Sequence, residues 1–111
     1  MFTRFEFDRL IHPVDPIFAA IQNNEATALE LCYFDLGNRL TKEEKEAFCA
    51  ALRVNTSLKY LELTNNNIDD NFALMIVESL KHNKYILLDL SNNNISLVGA
   101  EAITTVFENN V

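Results

Sequence analysis

The side chains able to do covalent or metal chemistry are few and far apart. Cys32, Cys49, His12 and His82 are the only thiols and imidazoles in the 111 residues. A nucleophile needs a base within hydrogen-bond reach, and a metal needs converging ligands. His12 and His82 fall in distant stretches, so a shared metal site is not expected. Cys49 sits in Ala47-Phe48-Cys49-Ala50-Ala51-Leu52, a run that reads as helix core, while Cys32 is expected exposed on a strand with no imidazole to activate it. Asn67-Ile68-Asp69-Asp70-Asn71 is rich in oxygen ligands but lacks the glycine and bidentate glutamate of a calcium loop. Gly-rich phosphate loops, HExxH, GxSxG and CxxC are all missing. No catalysis, cofactor or metal is expected. The carboxylates are different: Glu6, Glu30, Glu62 and Asp89 each stand between two apolar residues. Acids spaced in that way serve recognition.

What must position them is a repeat. Leu61-Glu62-Leu63-Thr64-Asn65-Asn66-Asn67-Ile68 returns as Leu88-Asp89-Leu90-Ser91-Asn92-Asn93-Asn94-Ile95, 27 residues later. Self-similarity at such a period marks a solenoid whose units bury their apolar edges against one another. The endings Ile21-x-x-Asn24, Leu52-x-x-Asn55, Leu80-x-x-Asn83 and Phe107-x-x-Asn110 are a second marker of the same period. Phe5-Glu6-Phe7, Leu29-Glu30-Leu31 and the two later copies alternate as one-face-buried strands do. Helices are expected after each. Asp15 with Pro16 opens one to about Gln22. Thr41 with Glu44 offers a capping box for one through Leu52, and two more span about Asn71–His82 and Leu97–Glu108.

The pattern L-x-L-x-x-N-x-I followed by a helix resembles the leucine-rich repeat, in its ribonuclease-inhibitor-like subtype. The resemblance implies an α/β fold, a short solenoid of about four βα units with a parallel concave sheet and convex helices. Residues 1–25 form a degenerate N-terminal cap unit, and 26–57, 58–84 and 85–111 the repeats. It also implies that Asn66 and Asn93 turn inward and bond backbone amides left unpaired by the bend. Phe34 departs from the family by standing where an asparagine belongs.

Composition narrows the class. The formal net charge of −7 repels nucleic acid and anionic lipid, and favours a protein with basic or neutral surface. No apolar run approaches the roughly 18 residues a membrane helix needs. The first ten residues mix Arg4, Glu6, Asp8 and Arg9 with aromatics, unlike a secretory signal. Two cysteines imply a reducing compartment. The expectation is a cytoplasmic protein, bacterial or delivered into a host cytosol.

In such a solenoid the residues between the leucines face out. They give an acidic column of Glu6, Glu30, Glu62 and Asp89 at about 4.8 Å spacing. Beside it stand Arg4, Ala28, Tyr60 and Leu87, and on the other flank Arg9, Tyr33, Asn65 and Asn92, with Ile86 one position upstream of Leu87. Exposed Tyr33, Tyr60, Ile86 and Leu87 are the anchors expected to carry binding energy. Apolar surface is expected open around Ile86, Leu97 and Val111, where the chain could oligomerise. By the family resemblance, the expected function is a non-catalytic module that binds another protein through its concave face, covering and inhibiting an enzyme with a basic cleft. Brevity and Asn- and Phe-rich usage are also similar to small leucine-rich-repeat effectors of intracellular bacteria such as Legionella. The alternatives are an oligomerising scaffold, a fragment of a larger leucine-rich-repeat protein, or a GTPase regulator of this repeat type.

Overall fold

The computed structural model describes the backbone of residues 2–4, 14–83 and 85–109, and the side chains of 17–83 and 85–105. Strands and helices alternate along the chain. They are β1 (Phe2–Arg4), α1 (Val14–Gln22), β2 (Ala28–Glu30), α2 (Leu36–Arg39), α3 (Lys42–Val54), β3 (Tyr60–Glu62), α4 (Asp70–Ser79), β4 (Leu87–Asp89) and α5 (Leu97–Asn109). The strands form one sheet in the order β1-β2-β3-β4, every neighbouring pair parallel. A parallel neighbour requires a crossover: α1 supplies the first, α2 with α3 the second and α4 the third, while α5 follows the last strand.

Each element has a local cause. Thr41 Oγ1 accepts from Glu44 N at 3.1 Å while Glu44 Oε1 accepts from Thr41 N at 2.9 Å, so the capping box opens α3 as its sequence predicts. Asp69 caps α4 by accepting from Phe72 N at 2.9 Å. That helix ends at Ser79, short of the expected His82, because Leu80 leaves helical geometry and its N–H turns back to Val77. The added residues between β2 and α3 fold into α2, an element the periodicity does not announce. There Gly37 N donates to Asn66 O at 2.8 Å, and a Cβ on Gly37 would lie 1.9 Å from Asn67 O. Only glycine fits that approach.

The core lies between the sheet and the helix layer. Leu29 and Leu61 from the strands, with Leu63 just after β3, meet Ile21, Leu52, Ile76 and Phe72 from the helices, all buried. Phe18, Phe48 and Phe72 stack in a file across α1, α3 and α4, with ring centroids 5.9 and 6.1 Å apart. Phe34 is buried in the same core, so the residue that replaces the expected asparagine contributes apolar packing instead.

Candidate functional site

Outward residues of the sheet converge because the register aligns them. Glu30 faces Glu62, and Glu62 faces Asp89. Ala28, Tyr60 and Leu87 form the neighbouring file. At the head of the acidic column the register places Arg4, not Glu6, beside Glu30. A three-residue strand offers too short an alternation to choose between Phe2-Thr3-Arg4 and Phe5-Glu6-Phe7, and the ladder to β2 decides. Glu6, Arg9, His12 and Val111 lie outside the described residues.

The carboxylates of the column are held by their own face. Tyr60 Oη donates to Glu62 Oε2 at 3.0 Å, and the Thr64 hydroxyl lies 3.4 Å from Glu62 Oε1. Asp89 Oδ1 accepts from the hydroxyl of Ser91 and from its N–H at 2.9 Å. Those two bonds hold the pKa of Asp89 below the usual carboxylate range. Withdrawal from water raises the Tyr60 hydroxyl to about 12, helped by its bond to Glu62 and by the charges of Glu62, Asp89 and Glu30. Cys32, expected exposed, is half-buried with its Sγ 3.1 Å from the Thr64 hydroxyl. Burial first, then the neighbouring Glu62, pushes its thiol up against the opposing bond from Thr64, so thiolate chemistry is disfavoured. Burial raises Cys49 likewise. Among the described residues no group of three or more His, Cys, Asp or Glu is placed to hold a metal.

The flanking file serves the bend after each strand. Tyr33, Asn65 and Asn92 have φ of 62°, 58° and 56°. Asparagine tolerates this left-handed region; a bulky tyrosine does not do so readily. Tyr33 nonetheless keeps its ring 72% exposed. Leu87 is exposed as expected and Tyr60 is half-buried. Ile86 is a correction: it packs partly buried against the core, and its predecessor Tyr85 is the exposed residue. Tyr85 stands 27 residues after the buried Leu58. A hydroxyl-bearing ring at that position turns outward, and Ile86 takes over the burial. The substitution of tyrosine for leucine is the signal that would have found it.

Asparagines stitch successive units together. Asn66 Oδ1 accepts from Phe34 N at 2.9 Å and Leu36 N at 3.4 Å, while its Nδ2 donates to Leu31 O and Thr64 O. Asn93 repeats this one unit later, with Oδ1 accepting from Asn66 N at 2.9 Å and Ile68 N at 3.0 Å. A second row lies at the helix ends, where Asn55 Nδ2 donates to Ile21 O and Asn83 Nδ2 to Leu58 O, each at 2.8 Å. A third, which spacing did not reveal, runs over the surface. Asp35 Oδ1 accepts from Asn67 Nδ2 at 2.6 Å, and Asn67 Oδ1 accepts from Asn94 Nδ2 at 3.4 Å. These rows make the outward sheet a rigid platform. No helix among the described residues is long and apolar enough to cross a membrane.

Known proteins carry the same repeat. The Leucine Rich repeat family model matches residues 54–71 and 82–103, so the chain contains leucine-rich repeats. Leiomodin-2 of Rattus norvegicus is 30% identical over 107 residues, covering 90% of this chain and 19% of that protein. Leiomodin-2 of Homo sapiens is 29% identical over the same shares. The solved structure "Leiomodin-1 Actin-Binding Site 2 (ABS2)" is similar at TM-score 0.69 and 34% identity, across 83% of this chain and 53% of that one. The chain thus spans only 19% of the length of these curated relatives.

Proposed function

We propose that this leucine-rich-repeat chain is a protein-binding segment of a kind built into larger proteins, and that actin is its first candidate partner. The observation that carries this is the likeness to the second actin-binding site of leiomodin-1, 34% identical at TM-score 0.69. At that level side chains as well as backbone path are shared. The segment reads as a short solenoid of about four βα units of the ribonuclease-inhibitor-like subtype, with 1–25 as its first unit and 26–57, 58–84 and 85–111 following. Its contact face is the outward side of the sheet, where Glu30, Glu62 and Asp89 stand between Tyr60 and Leu87 on one side and Tyr33, Asn65 and Asn92 on the other. A face of this size can bury about 800 Å² per partner, enough for a specific complex. Ile86, which precedes Leu87, packs against the core instead. Inhibition of an enzyme with a basic cleft, or an effector's action on a host protein, has only the acidic column in its favour.

The test is titration of the purified chain against monomeric and filamentous actin, by fluorescence and by co-sedimentation. Saturable binding is expected. Leu87→Asp should weaken it by at least about tenfold, or 1.4 kcal/mol, with the circular dichroism spectrum unchanged. Absence of binding to either form of actin sinks the actin assignment. Binding that Leu87→Asp and Tyr33→Ala leave untouched moves the contact off this face.

A further inference from the structure

A cavity of about 410 Å³ lies between α3 and α4, lined by residues of those two helices and none of the sheet. Its floor is soft and apolar. Cys49 is buried there, Leu74 and Met75 are half-buried, and the Ser79 hydroxyl is spent on Met75 O at 2.8 Å. One repeat further on, at a step of 27, Leu74 and Met75 become Glu101 and Ala102. Aligned on the shared helix ends Leu52 and Leu80, the matching residues of α3 are Glu46 and Ala47. α4 therefore presents a leucine to the outside where the helices on both sides of it present glutamate.

The charges beside this cavity are arranged in a particular order. On α3, Glu46, Ala50 and Arg53 are all exposed and stand at i, i+4 and i+7, one stripe of the helix. Acid and base are thus about 10.5 Å apart along the axis, with a small residue midway. Among the described residues neither Glu46 nor Arg53 forms an ion pair. Charges nearby are already engaged: Glu78 is held by Lys81 at 2.8 Å, and the Lys45 ammonium lies 5.3 Å from the centre of the Phe72 ring. Val54, one residue beyond Arg53, is exposed as well.

We propose that two copies of this chain pair through the α3–α4 face, with the two α3 helices antiparallel across a two-fold axis beside Ala50. A two-fold contact must be self-complementary: whatever one residue meets on the partner must meet it in return. An acid and a base set symmetrically about one point of a helix satisfy that condition. Glu46 of each copy faces the partner's Arg53, which gives two ion pairs, and the two Ala50 methyls at the centre let the backbones approach. The antiparallel direction also sets the partial charges at the helix ends against their opposites. Leu74 and Met75 are then covered by the α3 helix of the other copy. The strip is about 20 Å long and about 20 Å wide, which belongs to the small class of interfaces, so a dimer forming at micromolar concentration is expected. Each copy keeps its sheet face free, so this contact is additional to the one proposed for actin.

The test is sedimentation equilibrium of the full chain at physiological ionic strength, where the net charge of −7 per copy is screened beyond about 8 Å. Glu46→Arg and Arg53→Glu each turn both pairs from attraction to repulsion, so each should weaken the dimer at least about tenfold. Mixing these two variants in equal amounts restores both pairs between unlike copies, and a heterodimer should form. The double variant Glu46→Arg with Arg53→Glu should dimerise by itself. Leu74→Glu, which installs the residue of the neighbouring helices, should weaken the dimer at least about tenfold with the circular dichroism spectrum unchanged. A monomer at every concentration up to about 1 mM overturns the proposal. So does a dimer that neither charge reversal weakens, or one that mixing fails to restore. A dimer lost on Leu87→Asp instead places the contact on the sheet and overturns it too. Actin binding is read on the Glu46→Arg variant, so failure of the actin assignment and failure of this one stay distinct.

Discussion

Asn66 ties the bend after β2 to the following unit, and its replacement by alanine gives the sharpest test of the ladder. The residue is fully buried. Its Oδ1 receives Phe34 N at 2.9 Å and Leu36 N at 3.4 Å, and its Nδ2 bonds Leu31 O and Thr64 O. Alanine removes all four bonds, and although Thr64 O still accepts from Tyr33 N, each well-formed bond lost in this buried position costs about 1–3 kcal/mol. The long bond to Leu36 counts for little, so the loss should be about 3–5 kcal/mol, a large share of the 5–15 typical of a domain. Asn93 makes matching bonds, to Asn66 N and Ile68 N, but is only half-buried. Water can replace part of what Asn93→Ala removes, so about 1–2 kcal/mol is expected there. Asn66→Asp keeps the acceptor but sets a carboxylate oxygen against two carbonyls. Its destabilisation should shrink as pH falls through the carboxylate range, since protonation restores a donor. Urea unfolding followed by circular dichroism measures all three. Equal losses for Asn66→Ala and Asn93→Ala, or a loss under about 1 kcal/mol for the former, would refute the assignment of the ladder's strength to buried amides.

Gly37→Ala should cost at least about 2 kcal/mol in the same assay, because the new Cβ meets the backbone oxygen of Asn67 at 1.9 Å and neither chain can yield freely. Of the three tyrosines, one should ionise near pH 12 in an ultraviolet titration, and Glu62→Gln should lower it. The folded value is raised above the unfolded one near 10, so the stability linked to Tyr60 is complete below pH 10 and lost as pH climbs through about 12. Asp70 is held below the usual carboxylate range by the hydroxyl and N–H of Ser96. Its contribution is therefore present above the unfolded value near 3.9 and disappears as pH falls through the lower folded value. Ser96→Ala should flatten the loss of urea resistance between pH 5 and acid, and an unchanged slope would remove Asp70 from the account.

What the sequence showed most clearly was whatever repeats with a side chain of unusual type. The pairs Asn66/Asn93 and Asn55/Asn83 each occupy a fixed offset; Asn66, Asn93 and Asn55 bond backbone of the preceding unit, and Asn83 bonds Leu58 O at the start of its own. Thr41 and Glu44 were legible because a capping box is local. Three-residue strands were the weak point: with one inward position each, alternation can slip unnoticed, and Glu6 gave way to Arg4 in the column. Ile86 failed for a related reason, since its burial depends on where Tyr85 turns and not on its own type. The Asp35–Asn67–Asn94 file was hidden because it joins residues 32 and 27 positions apart through side chains that look like ordinary loop asparagines.

Internal bonding changes what the acidic column can contribute to recognition. A row of carboxylates about 4.8 Å apart repels itself by roughly 1 kcal/mol per neighbour in water, and a basic partner would relieve that. Here the fold has already supplied part of the relief: Tyr60 donates to Glu62, and Ser91 donates to Asp89 with both hydroxyl and amide. A lysine or arginine arriving at Glu62 must share that carboxylate with a hydroxyl already in place, so its net gain is smaller than a bare carboxylate would give. On the proposed reading, the column would set orientation and encounter rate, and affinity would fall to surface that has no such internal partner. Leu87, 68% exposed beside Tyr60, is the large apolar side chain of that kind on the sheet itself. Tyr33 is its counterpart across the acids, held with φ at 62° where the equivalent residues are asparagines. On the proposed reading, a partner's contact with the exposed ring would offset the cost of holding a tyrosine in a backbone conformation better suited to asparagine.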